Sequence, residues 1–177
     1  MAEFLFHSER LGFRAWDRAE DIEALTTINQ DKTVMEHFPS LQDRLQTEQF
    51  IARQQQLFSQ KGYCFFSVEK KATSECIGFI GLSPVNFDST FTPATEIGWR
   101  LGRSHWGKGY ATEGALKCLE WGRKIGEEEI YSFTSLDNQR SEHVMKKIGM
   151  THIGFFDHPL LPLGHPLGRH TLYHIKL

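Results

Sequence analysis

Cysteine is scarce in this chain and unpatterned. Cys64, Cys76 and Cys118 are the only three among 177 residues, and no C-x-x-C occurs. An odd number at wide spacing argues against a disulfide framework or a structural zinc site and for reduced thiols. Long apolar runs are missing as well: no stretch approaches the roughly 20 residues of a membrane-spanning helix. The opening MAEFLFHSERLGF holds neither a basic n-region nor an apolar run of signal length, so a cytoplasmic protein is expected. Nor does charge of one sign dominate. With 20 basic and 22 acidic side chains, the net charge of −2 gives no bulk reason to bind nucleic acid or an anionic membrane. Repeats, low-complexity tracts and linker-like stretches are absent too, so residues 1–177 read as a single domain. What remains is an ordinary globular balance, 40% hydrophobic and 24% charged.

Periodicity divides the chain into alternating elements. Residues 10–16 (RLGFRAW) read as a strand. Asp17, with Glu20 three residues on, has the spacing of a capping box for the helix that follows, whose Ala19, Ile22 and Leu25/Thr26 share a face. QTEQFIARQQQLFSQ reads as a second helix, ended by Gly62. YCFFSVEK and ECIGFIGLSPV form an antiparallel hairpin, and ATEIGWRLG is the next strand. After the loop SHWGKG come a helix (YATEGALKCLEWGRKIG), a strand (EIYSFTSLD), a helix (NQRSEHVMKKIG) and two strands (MTHIGFFDH and RHTLYHIKL). The order β-α-α-β-β-β-α-β-α-β-β predicts an α/β (α+β) fold: a mixed, mostly antiparallel sheet of about seven strands with one parallel pair and about four helices.

The glycine-rich turn between a strand and a helix is the most informative stretch. Such a turn exposes backbone N–H groups at a helix N-terminus, where anions are favoured. The triphosphate template G-x-x-x-x-G-K-[ST] fits at Gly102, Gly107 and Lys108, but Gly109 stands where a hydroxyl must reach Mg²⁺. The dinucleotide template G-x-G-x-x-G/A fits at Gly107 and Gly109, but Thr112 occupies the closely packed third position. No strand-borne acid follows about 20 residues on. A tight turn whose glycines only permit positive φ is the plain alternative.

Trp106-Gly107-Lys108-Gly109-Tyr110-Ala111 also resembles the pyrophosphate loop of acetyl-CoA-dependent N-acetyltransferases of the GNAT superfamily, [QR]-x-x-G-x-[GA]. Trp106 stands in place of Gln or Arg. SERLGFRAW…DIEAL, TEIGWRLG and NQRSEHVMKKIGM are similar, in register, to the branch containing the ribosomal-protein alanine and serine N-acetyltransferases. The resemblance implies that the parallel pair splays apart to admit the cofactor.

It further implies a CoA site made by Trp106, Gly107, Lys108, Gly109, Tyr110, Ala111 and Thr112. The pantetheine arm would lie along Trp99 to Leu101. Asn138, an N-cap by residue type, would also touch the cofactor. Many relatives carry a tyrosine acid later in this helix; here Met145 occupies that position. The resemblance transfers the acid role to Ser141. Glu96, on the central strand, is the candidate base, or else a strand-end carboxylate in a salt bridge. His105 reads as structural or solvent-facing.

The implied reaction is direct attack of a primary amine, a protein N-terminus or a small molecule, on acetyl-CoA. A strand N–H would face the oxyanion. No acyl-enzyme is required, and no cysteine lies where one would form. A non-catalytic CoA-binding regulatory domain is the alternative. Metal is not expected: His170 and His174 lie roughly 13 Å apart on a strand. The loop DHPLLPLGHPLG suits an acceptor-site wall or a packed loop. Exposed aromatics near Phe87–Phe91, or this loop, could serve a homodimer.

Overall fold

The computed structural model describes residues 4–177; Met1 to Glu3, which begin the stretch read above for a targeting signal, lie outside the described residues. The elements are β1 (Phe6–His7), β2 (Leu11–Arg14), α1 (Ala19–Gln30), α2 (Arg44–Lys61), β3 (Phe65–Lys70), β4 (Glu75–Pro84), β5 (Thr95–Leu101), α3 (Tyr110–Lys124), β6 (Glu129–Ser135), α4 (Gln139–Lys147), β7 (Thr151–Asp157) and β8 (Arg169–Lys176). The order is the expected one with an added strand, since Phe6 and His7 pair antiparallel with Phe13 and Gly12. One eight-stranded sheet results, in the order β1-β2-β3-β4-β5-β6-β8-β7. All neighbours are antiparallel except β5 and β6.

Helix ends follow local chemistry in one case and long-range chemistry in another. α2 begins with a reciprocal capping box between Asp43 and Gln46 and ends at Gly62, which takes the left-handed conformation at φ 74°. At α1 the expected Asp17 cap does not form. The N-cap is Arg18, with no side-chain cap, while Asp17 accepts from Arg14 Nη1 at 2.8 Å. Arg14 is buried, with Nη2 on Asp21 Oδ1 at 2.8 Å and Nε on Glu69 Oε2 at 3.1 Å. A charged donor outcompetes a neutral N–H for the Asp17 carboxylate.

The helices sandwich the sheet. On one face α3 buries Ala115, Cys118, Leu119 and Gly122 at i, i+3, i+4 and i+7. These meet Ile77, Ile80, Leu82, Ile97 and Ile130 in the main core, to which α4 adds Met145. Gly114 is what lets α3 sit this close: a Cβ there would lie 2.3 Å from Ile80 Cδ1. On the other face Leu25 of α1 and Ile51 of α2 pack with Trp16 and Phe79. No helix among the described residues is long and apolar enough to cross a membrane.

Candidate active site

The glycine loop joins the end of β5 to α3 through a 3₁₀ turn at Arg103–His105. Gly107 (φ 71°) and Gly109 (φ 80°) are left-handed, and Gly109 is the N-cap of α3 without any side-chain cap. Trp106, the departure from the family pattern, donates its indole N–H to the Leu101 carbonyl at 2.8 Å and ties the loop back to β5. Arg10 braces it from the other side. Its Nη1 donates to the Lys108 carbonyl at 3.0 Å, its Nε to Glu113 Oε2 at 2.6 Å, and its guanidinium lies 4.5 Å from the Tyr110 ring centroid. The N–H groups of Gly107, Lys108 and Gly109 meet no backbone acceptor among the described residues. Those of Tyr110, Ala111 and Thr112 open the helix and have no intrahelical acceptor. Consecutive donors at a helix N-terminus suit an anion.

The loop stands at the mouth of a splay. β5 and β6 share a single ladder pair, Glu96 with Tyr131, supported by Ser132 Oγ donating to the Ile97 carbonyl at 2.9 Å. Gly102 donates its N–H to Ile77 of β4. Alternation therefore turns the N–H groups of Trp99 and Leu101 toward β6, beyond the last pair. The two strands diverge there with backbone donors facing the gap.

On the far wall of the gap stands α4. Asn138 Oδ1 accepts from the Ser141 N–H at 3.2 Å, and its Nδ2 donates to Thr134 Oγ1 at 2.9 Å, so the capping reading holds and both ends of the amide are engaged. Ser141 is half-buried, and its hydroxyl makes no hydrogen bond among the described residues. Arg140 reaches across to Trp106, 4.6 Å from a ring centroid, bringing the starts of α3 and α4 together. Met145 is 1% exposed and belongs to the core.

Glu96 lies where β5 and β6 still touch, on the face opposite Trp99 and Leu101. It has no hydrogen bond or ion pair among the described residues, so the salt-bridge alternative is not what the structure displays. Burial alone pushes its carboxyl up to about 8.

Beside it, on the same face, lies a cluster that sequence reading missed. Tyr131 stacks on Phe91 at 5.4 Å, Phe91 meets Phe156 at 5.2 Å, and Phe133 meets Phe156 at 5.5 Å. Phe87 joins His158 at 4.6 Å. Phe87 and Phe91 are thus half-buried, not the exposed aromatics expected of a dimer surface. The loop carrying them folds over the β6-β8-β7 end of the sheet, where neither α1 nor α2 packs closely. Burial lowers the pKa of both His158 and His170, which keeps this wall uncharged near neutrality. Only the alternation of Tyr131 and Phe133 hinted at it. In the 157–168 loop His158 joins the cluster, while Leu160 and Leu163 face solvent. His105 is structural: it is buried, with Nε2 3.3 Å from Glu75 Oε1.

A mixed sheet opened at its one parallel pair, with a glycine turn and a helix N-terminus at the opening, is the architecture of the GNAT acyltransferases. The chain belongs to that family: residues 10–151 match the acetyltransferase (GNAT) domain, which makes it an acyltransferase of the acetyl-CoA-dependent kind. It is similar to the uncharacterised protein YkkB of Bacillus subtilis, 30% identical over 148 residues, covering 81% of this chain and 83% of that protein. Among solved structures it resembles a GNAT-family acetyltransferase from Bacillus anthracis, with a TM-score of 0.78, 26% identity and 96% of each chain covered. At the level of fold it also resembles the ribosomal L7/L12 α-N-protein acetyltransferase solved with CoA, with a TM-score of 0.77, 19% identity, and 99% and 98% covered.

Proposed function

We propose that this chain transfers the acetyl group of acetyl-CoA to a primary amine by direct attack within a ternary complex. The observation that carries the reading is the run of unengaged N–H groups from Gly107 to Thr112 at the mouth of the splay. In this reading they hold the CoA pyrophosphate without a metal. The N–H groups of Trp99 and Leu101 pair with the pantetheine amides as a further strand would, and one of the strand's N–H groups faces the developing oxyanion. Asn138 flanks the cofactor while capping α4. That a protein of the same fold was solved in complex with CoA supports CoA as the ligand.

The amine approaches from the Glu96 face. A carboxyl titrating near 8 matches an α-amino group, whose pKa is also about 8, better than a lysine at about 10.4. Glu96 takes the proton as the amine attacks, directly or through water, and Ser141 supplies one to the departing thiolate. That second task is modest, because a free thiol has a pKa of about 8.5. A covalent acyl-enzyme finds no support: Cys64 and Cys118 are buried, and burial drives both thiols upward, away from thiolate.

Binding is checked by thermal or denaturant melts. CoA at 100 times its Kd should add about 2.7 kcal/mol, and no stabilisation at millimolar CoA contradicts the site. Met145 in the position of the usual tyrosine favours one second reading, a CoA-binding regulatory domain. It predicts the same stabilisation with no turnover of any amine.

A further inference from the structure

The face of β5 that carries Glu96 also carries Arg100, two alternation steps along. Its surroundings are unusual for a guanidinium. Arg100 is 9% exposed, and no carboxylate pairs with it among the described residues. Its Nη1 donates to Asn29 Oδ1 at 2.7 Å and approaches Gln42 Oε1 at 3.5 Å. The rings of Phe38 and Phe79 flank it, with centroids 4.1 and 5.2 Å from Cζ. Neutral groups thus occupy its planes and one end.

The other edge of the fork is different. Nε is sealed from solvent and has no acceptor. Nη2 has none either, yet it is not among the sealed atoms. Nε–H is covered by the protein itself, so Nη2–H is the donor left open to an anion. A buried cation without a counter-charge is costly, and burial lowers the Arg100 pKa to about 10. Glu96 is half-buried, with no cation beside it among the described residues. The two ionisable side chains share a face and do not pair with each other.

We propose that the acceptor is an amine that also bears an anionic group, a carboxylate in the simplest case, with the amine at Glu96 and the anion on the open Nη2 of Arg100. This rests on the acetyl-transfer reading above and specifies its substrate class. The anion is not the CoA pyrophosphate, whose proposed cradle is at the start of α3 on the opposite face of the sheet. Four residue steps along the strand separate the two Cα atoms by roughly 13 Å, and both side chains take up part of that span. Amino acids of graded length and short peptides with a free α-amine are the fitting class.

The test uses matched acceptor pairs, each an amino acid or dipeptide and its C-terminal amide, in an acetyl-CoA thiol-release assay. Wild type should prefer the acid of at least one pair by roughly 10- to 100-fold in kcat/KM. Arg100→Gln should abolish that preference, mainly through KM for the acid, and Arg100→Lys should restore part of it. The KM for acetyl-CoA should stay unchanged. A purely structural Arg100, holding Asn29 and the α1–α2 connection, would weaken acid and amide equally, and that result overturns the proposal. So does equal use of acid and amide by wild type. Binding of CoA with no turnover of any pair, nor of simple amines, overturns the acetyl-transfer reading itself.

Discussion

Glu96 bears the sharpest consequences at the scale of single residues. If it is the base, the rising limb of kcat/KM against pH should centre near 8. Glu96→Gln should flatten that limb and lower turnover by about 100-fold or more. Its stability effect has the opposite sense to an ordinary paired carboxylate. In the unfolded chain it titrates near about 4.3, and in the folded chain near 8. Folding therefore takes up a proton between those values, and stability falls as pH rises through that window. Denaturant melts of Glu96→Gln should lack this fall. Ser141→Ala should lower kcat about tenfold while leaving the α4 cap intact, because the cap bond uses the Ser141 N–H and the Asn138 side chain; unchanged turnover removes the acid role. The places of Glu96 on β5 and of Ser141 in the first turn of α4 were legible because each sits in a local pattern. Arg100 was not: its meaning depends on Asn29, Gln42 and Phe38, all far away in sequence.

Elements show the same division. The end of α2 and the starts of α3 and α4 were readable because Gly62, Gly109 and Asn138 act within a turn of the helix they bound. The start of α1 was misread because its apparent cap is claimed by Arg14. That guanidinium ties β2 to α1 and β3 through Asp21 and Glu69, both 1% exposed. Arg14→Met should leave two buried carboxylates without their partner and cost about 3–5 kcal/mol, read as a lower denaturant midpoint. A loss below 1 kcal/mol would mean that Arg18, which also bonds Glu69 at 2.8 Å, suffices. The register of β5 against β6 could not be read from either strand. The splay exists because only one pair forms between them, and nothing in TEIGWRL or EIYSFTS alone dictates that.

At the scale of the whole molecule, the two faces of the sheet differ at β5. The α3 side of β5 offers backbone donors and a helix N-terminus. The α1–α2 side offers Glu96, Arg100 and an uncharged aromatic wall. The order of elements and the glycine loop were visible in the sequence. The aromatic wall beside Glu96 was not, because Phe87, Phe91, Tyr131, Phe133, Phe156 and His158 come from separate segments that only the folded sheet assembles. The two sides meet at the gap between β5 and β6, which is where an amine would reach a thioester. The most direct measurement of that arrangement is release of free CoA thiol from acetyl-CoA, with and without amines, matched against acetylated product. The account predicts release that depends on the amine, at one product per thiol. CoA-dependent stabilisation with no amine-dependent release from N-terminal peptides, amino acids, polyamines or aminoglycosides would contradict it.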